Sequence, residues 1–93
     1  MKIIISTDKK YSFEYDDLLI QLFQKNMELF SAYGKYAEEW ENRMDDIIVE
    51  YTREDEEFKT VTTSHSDEPW EEVLEFVEFW NSEEDSKIEI IKL

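Results

Sequence analysis

IIVEYT at residues 47–52, REDEE at 53–57 and FKTVTT at 58–63 form the stretch on which the fold turns. β-Branched and aromatic residues crowd both flanks, and a charged connection separates them. That pattern reads naturally as a β-hairpin, and a hairpin makes the sheet antiparallel there. The same residues also carry on a helical stripe. Ile47, Ile48 and Tyr51 follow Trp40 and Met44 at helix spacing, so the alternative is a longer helix that leaves only the second strand.

Upstream, KIIIST at 2–7 reads as a short buried strand: three consecutive isoleucines, then polar turn residues. A helical stretch opens near Ser12 or Phe13, with Glu14, Asp16 and Asp17 at the end where a helix favours negative charge. Apolar residues then recur at helical spacing from Tyr15 through Leu29, Phe30 and Tyr33 to Ile47. Gly34, the only glycine, lies inside this run, and two helices are expected to meet near residues 31–34. Downstream, Ser66 and Asp67 are capping residues. Pro69 suits a first helical turn, and WEEVLEFVEFW at 70–80 forms the helix body. KIEIIKL at 87–93 closes as a strand, with Ile88 and Ile90 on one face, opposite Lys87 and Glu89. The expected class is α+β: one domain over residues 1–93, with a small antiparallel sheet of three or four strands and two or three helices packed on one face.

The 93 residues include 14 aromatics (three Trp, five Tyr, six Phe), which is core material that a disordered acidic tail would lack. There is no cysteine, hence no disulfide or thiolate site, which fits a reducing cytoplasm. The apolar N-terminal run is too short for a signal peptide or a membrane span. The formal net charge is −15, so nucleic acids and anionic membranes repel the chain and basic proteins attract it. That charge is segregated. Residues 1–37 are balanced, whereas residues 38–85 hold 19 acids against Arg43, Arg53 and Lys59.

A search for chemistry returns little. His65, the one histidine, sits between Ser64 and Ser66. Neighbours in sequence are not a triad in space, and it reads as an exposed turn residue. Carboxylates are too abundant for any pair to stand out as glycosidic, and one glycine rules out a phosphate-cradling loop. Zinc wants Cys and His, and the acidic loop at 54–57 lacks calcium-loop spacing. The expectation is a protein without catalytic residues, metal or cofactor.

From Asp67 to Asp85 there are nine acids and no base. Glu71, Glu75 and Glu78 share one helical stripe, flanked by Glu68 and Glu72, with Glu83, Glu84 and Asp85 beyond. Like charges at i, i+4 cost a few tenths of a kcal/mol each, so the uncompensated row gives up stability. Glu68 apart, these residues are the expected partner contacts, with Glu54, Asp55, Glu56 and Glu57 as a second cluster; the alternative is an acidic structural subunit whose solvated face serves solubility alone. The helix also carries more apolar side chains than one core face takes. The surplus, Trp70, Phe76, Phe79 and Trp80, is either buried in a core between the sheet and the first helix or forms a homodimer interface.

In size, charge and lack of cysteine, and in the stretch DEPWEEVLEFVEFWNSEED at 67–85, the chain resembles the acidic DNA-mimic proteins encoded by bacteriophages. Those proteins inhibit histone-like HU nucleoid proteins, CRISPR effectors, restriction enzymes or uracil-DNA glycosylase. The resemblance implies a host-takeover inhibitor in the bacterial cytoplasm that occupies the DNA-binding surface of a basic protein, HU-like first. A second resemblance, through AYGKYAEEW at 32–40 and KIEIIKL at 87–93, is to barstar-like nuclease inhibitors. It implies an immunity-type inhibitor with Tyr33, Gly34 and Trp40 in its contact region.

Overall fold

A computed structural model describes residues 1–81 and 86–93. Its elements run in the order β1 (Lys2–Ser6), a 3-10 turn (Phe13–Tyr15), α1 (Asp16–Phe23), β2 (Leu29–Tyr33), α2 (Ala37–Tyr51), β3 (Val61–His65), α3 (Trp70–Phe79) and β4 (Ile88–Lys92). Four strands and three helices make the expected mixed α and β fold. The sheet order is β3-β2-β1-β4, and every neighbouring pair is parallel. The antiparallel sheet expected from the sequence is thus replaced by a parallel one, and the reason lies in residues 47–52.

Those residues stay helical. Trp40, Met44, Ile47 and Ile48 form one buried stripe of α2, and continuing that stripe buries more apolar surface than a turn at Ile47 would. With 15 residues, α2 is a crossover about 22 Å long, the kind of connection that parallel neighbours require. The strand expected at 58–63 becomes β3 at Val61–His65, with the acidic segment feeding into it.

β2 is the strand absent from the sequence reading. LFSAY has apolar residues at 29, 30 and 33, which a helical stripe also allows. Four of its five residues are buried, as expected for an interior strand of a parallel sheet that is covered on both faces. Asn26, at φ 59°, takes the left-handed conformation that ends α1 and frees the chain to extend. Gly34 ends β2 with φ +127°, and a Cβ there would lie 1.8 Å from the Thr7 carbonyl oxygen. Only glycine lets the β2–α2 turn approach the end of β1 so closely.

The chain steps from β1 to β2 to β3, then reverses to place β4 on the far side of β1. With crossovers of one hand, that reversal moves the third helix to the opposite face. Ile3, Ile5, Phe30 and Ala32 meet α1 and α2, with Leu19, Leu22, Trp40, Met44 and Ile47 in the same cluster. Ile4 and Leu29 meet Val77 of α3. Helices therefore lie on both faces, not one.

Candidate functional site

α3 is positioned by three attachments. Val73 and Val77 are fully buried, Val77 against Ile4 and Leu29. The Trp70 ring packs on Tyr33 with centroids 5.2 Å apart. The buried Lys2 ammonium donates to the Val77 carbonyl at 2.8 Å and the Glu78 carbonyl at 3.2 Å, placing a cation at the negative end of the helix.

With that stripe turned inward, another flank of α3 opens to solvent. Glu68, Glu72, Glu75, Phe76, Phe79 and Trp80 line a shallow groove of about 630 Å³. Phe79 is 68% exposed and Phe76 39%, so the apolar floor is accessible between the carboxylates. Within the described residues the ion pairs are Lys25–Glu89, Arg43–Asp16, Arg43–Glu50 and His65–Glu68. No lysine or arginine among them reaches a carboxylate of α3.

Of the expected contact residues, Glu72 and Glu75 enter the groove. Glu71 and Glu78 are exposed on the same helix without lining it. Glu54, Asp55, Glu56 and Glu57 are exposed on the connection between α2 and β3. Glu56 and Glu57 line a separate groove of about 320 Å³ with Phe23, Tyr51 and Lys59. Glu83, Glu84 and Asp85 lie outside the described residues. Among the candidate interface aromatics, Phe76, Phe79 and Trp80 share the first groove, whereas Trp70 is half-buried against Tyr33.

The acids do not share one face. α2 carries its row on the opposite side of the sheet from α3, and both rows flank β3. The Thr62 hydroxyl lies within hydrogen-bond distance of carboxylates of both Glu41 and Asp45 of α2 and donates to one at a time, while the His65 ring bonds Glu68 just before α3. Bases gather elsewhere. The Lys10 and Lys35 ammonium groups lie 5.7 and 5.4 Å from the Tyr36 ring centre, near the N-terminus of α2. Arg43 is committed to joining α2 to α1: its guanidinium bonds both oxygens of Asp16 at 3.0 and 2.9 Å. Those bonds, with one from the Tyr11 hydroxyl, hold the Asp16 carboxyl below its ordinary value. Burial, then the bond to Asp16, pushes the Tyr11 hydroxyl up.

His65 is the residue the sequence reading misplaced. It ends β3, is only 6% exposed, and packs on Phe76 with ring centres 5.1 Å apart. Ser31 Oγ meets Thr63 Oγ1 at 2.7 Å, Thr63 Oγ1 meets His65 Nε2 at 2.9 Å, and His65 Nδ1 meets Glu68 Oε1 at 2.9 Å. Hydroxyl, imidazole and carboxylate in this order resemble a nucleophile relay. The Thr63 hydroxyl, however, is tied to the fully buried Ser31 and does not line the groove. The chain's evident effect is to satisfy buried polar groups and to hold Glu68 at the groove rim. Its signal was in the sequence: Thr63 and His65 stand two apart on a strand, three residues before Glu68.

Among the described residues, no three His, Asp or Glu side chains converge to hold a metal ion, and no helix is long and apolar enough to cross a membrane.

Strand order, crossover helices and the reversal at β1 define a small doubly wound α/β protein, here with an acid-rimmed aromatic groove on its single-helix face. The chain belongs to the family described as Domain of unknown function (DUF7684), whose model matches residues 1–92. No curated protein and no solved structure matches it.

Proposed function

We propose that this protein is a non-catalytic inhibitor that presents carboxylates to the DNA-binding surface of a basic bacterial protein and so blocks nucleic-acid binding. The first target is a histone-like HU nucleoid protein in the cytoplasm; CRISPR effectors, restriction enzymes and other nucleases follow. One observation carries the reading: Glu68, Glu72 and Glu75 rim an open floor of Phe76, Phe79 and Trp80, with no lysine or arginine paired to them among the described residues. A surface that leaves like charges uncompensated loses stability and gains in steering and discrimination toward a partner of opposite sign.

The immunity-type alternative places its contacts at Tyr33, Gly34 and Trp40. Trp40 is fully buried and therefore offers a partner no contact surface. A homodimer through Phe76 and Phe79 would bring two sets of Glu68, Glu72 and Glu75 together. That repulsion favours a basic partner over a second copy.

The test is competition between this protein and a short DNA duplex for a purified HU-type protein, read by fluorescence anisotropy across a salt series. The wild type should displace the duplex at low salt and fail as screening rises. The double variant Glu72→Lys, Glu75→Lys should require at least about tenfold more protein, a loss within the range of two charge contacts. No displacement by the wild type at low salt removes HU as the target.

A further inference from the structure

β3 is an edge strand, and the placement of acids on both sheet faces around it gives that edge a specific character. Among the described strands it pairs only with β2. Its Val61 N–H donates to the Glu28 carbonyl at 3.0 Å, and its His65 carbonyl accepts from the Gly34 N–H at 3.2 Å. Backbone direction alternates along a strand, so Val61, Thr63 and His65 point into the sheet. Thr62 and Ser64 then turn their N–H and C=O groups outward. Two donors and two acceptors stand along this edge without a backbone partner among the described residues.

An added strand would set its side chains alternately toward the two faces. On one face they would reach Glu41 and Asp45, which already bracket Thr62. On the other they would reach Glu68 beside His65. Basic residues on either face of such a strand therefore have a carboxylate within the reach of a long side chain: Glu41 and Asp45 on one, Glu68 on the other.

We propose that β3 docks an extended Lys/Arg-rich segment of the partner as a fifth strand, with backbone hydrogen bonds supplying register and the flanking carboxylates supplying charge selectivity. This rests on the reading of the protein as a binder of basic partners and names the feature recognised: a strand-forming basic arm instead of a folded phosphate-binding groove. It also gives one ligand a use for acids that lie on opposite faces.

The probe is a short synthetic peptide of alternating Lys-Lys and Thr units, compared with the same peptide N-methylated at every second amide, which keeps the charge and removes strand donors. Binding is read by fluorescence anisotropy, and the amide NMR shifts of Thr62 and Ser64 are followed. The unmodified peptide should bind and move both amides, and N-methylation should weaken it about tenfold, as expected for losing two or three backbone bonds. Ser64→Pro removes an outward N–H, a substitution that edges tolerate, and should weaken binding by a similar factor while Ser64→Ala does not. If Ser64→Pro fails to fold, the two peptides alone decide. Equal binding of both peptides, with loss on Glu72→Lys, Glu75→Lys, overturns strand docking and leaves the acidic binding surface standing. No binding of either peptide, together with no displacement of DNA from HU, overturns the acidic reading itself.

Discussion

On one face of the sheet, Ile3, Ile5, Phe30 and Ala32 meet two helices and a tryptophan ringed by tyrosines, with Tyr11 and Tyr15 centroids 5.5 and 5.0 Å from Trp40. On the other, Ile4 and Leu29 meet one helix through Val77. Four parallel strands span roughly 15 Å, and a single helix covers about 10 Å, so the second face is left partly open. Ile90 is 40% exposed there. The first face holds the larger buried cluster; the second exposes aromatic and acidic groups at little cost to the core. The same inequality explains why Lys2 is needed. A helix with few buried contacts is fastened at its C-terminal end by a cation.

The comparison breaks if the two faces contribute equally to stability. Trp40→Ala removes a fully buried side chain and should cost about 4 kcal/mol, in the range for aromatic core truncations. Val77→Ala, on the thin face, should cost roughly 2 kcal/mol from two lost methyls and a partly collapsed cavity. Urea unfolding of both variants checks the order. A Val77→Ala loss equal to that of Trp40→Ala would mean that α3 is as integral as α2.

The thin face was also the more legible one. The body of α3 was read at its true place, and its split of valines from glutamates survives in the structure; its start was not, because Pro69 itself takes the N-cap position without a side-chain cap and Ser66 and Asp67 lie before it. β1 and β4 were readable because isoleucine runs bounded by polar residues have few alternatives. The two-helix face was misread at β2 and at the end of α2, for one reason in two directions. An interior parallel strand loses its period-two signal, so Leu29–Tyr33 passed for helix. The β-branched end of α2 passed for strand, although Met44, Ile47 and Ile48 continue its buried stripe. The site was half legible. Helix periodicity put Glu72 and Glu75 beside Phe76 and Phe79, whereas the wrapping of acids around β3 depends on which face each crossover takes, and that follows from strand order alone.

Lys2→Met sharpens the contrast with a smaller and more local effect. Met keeps most of the volume but leaves the Val77 and Glu78 carbonyls without their donor, a loss of about 1.5 kcal/mol. Hydrogen exchange should locate it. Amides of α3 should lose protection while those of Trp40 and Met44 in α2 keep theirs, because α2 shares no bond with Lys2. Uniform loss across both helices would show that the two faces open as one cooperative unit.

Phe79→Ser carries the smallest stability change and the sharpest test of what the open face is for. Phe79 is 68% exposed, so little apolar burial is lost, and the melting free energy should move by no more than about 0.5 kcal/mol, the usual range for surface substitutions. A side chain with that little structural effect would still matter if the groove binds a partner. Aromatic faces between carboxylates attract the guanidinium and ammonium groups of Arg and Lys through the ring and through charge together. Phe79→Ser should therefore weaken capture of a basic partner several-fold, measured by anisotropy at fixed salt, while leaving unfolding unchanged. A variant that loses stability by 2 kcal/mol or more would place Phe79 in the core of the thin face after all. Unchanged stability with unchanged binding would move recognition away from the α3 groove and toward the acids of α2 alone.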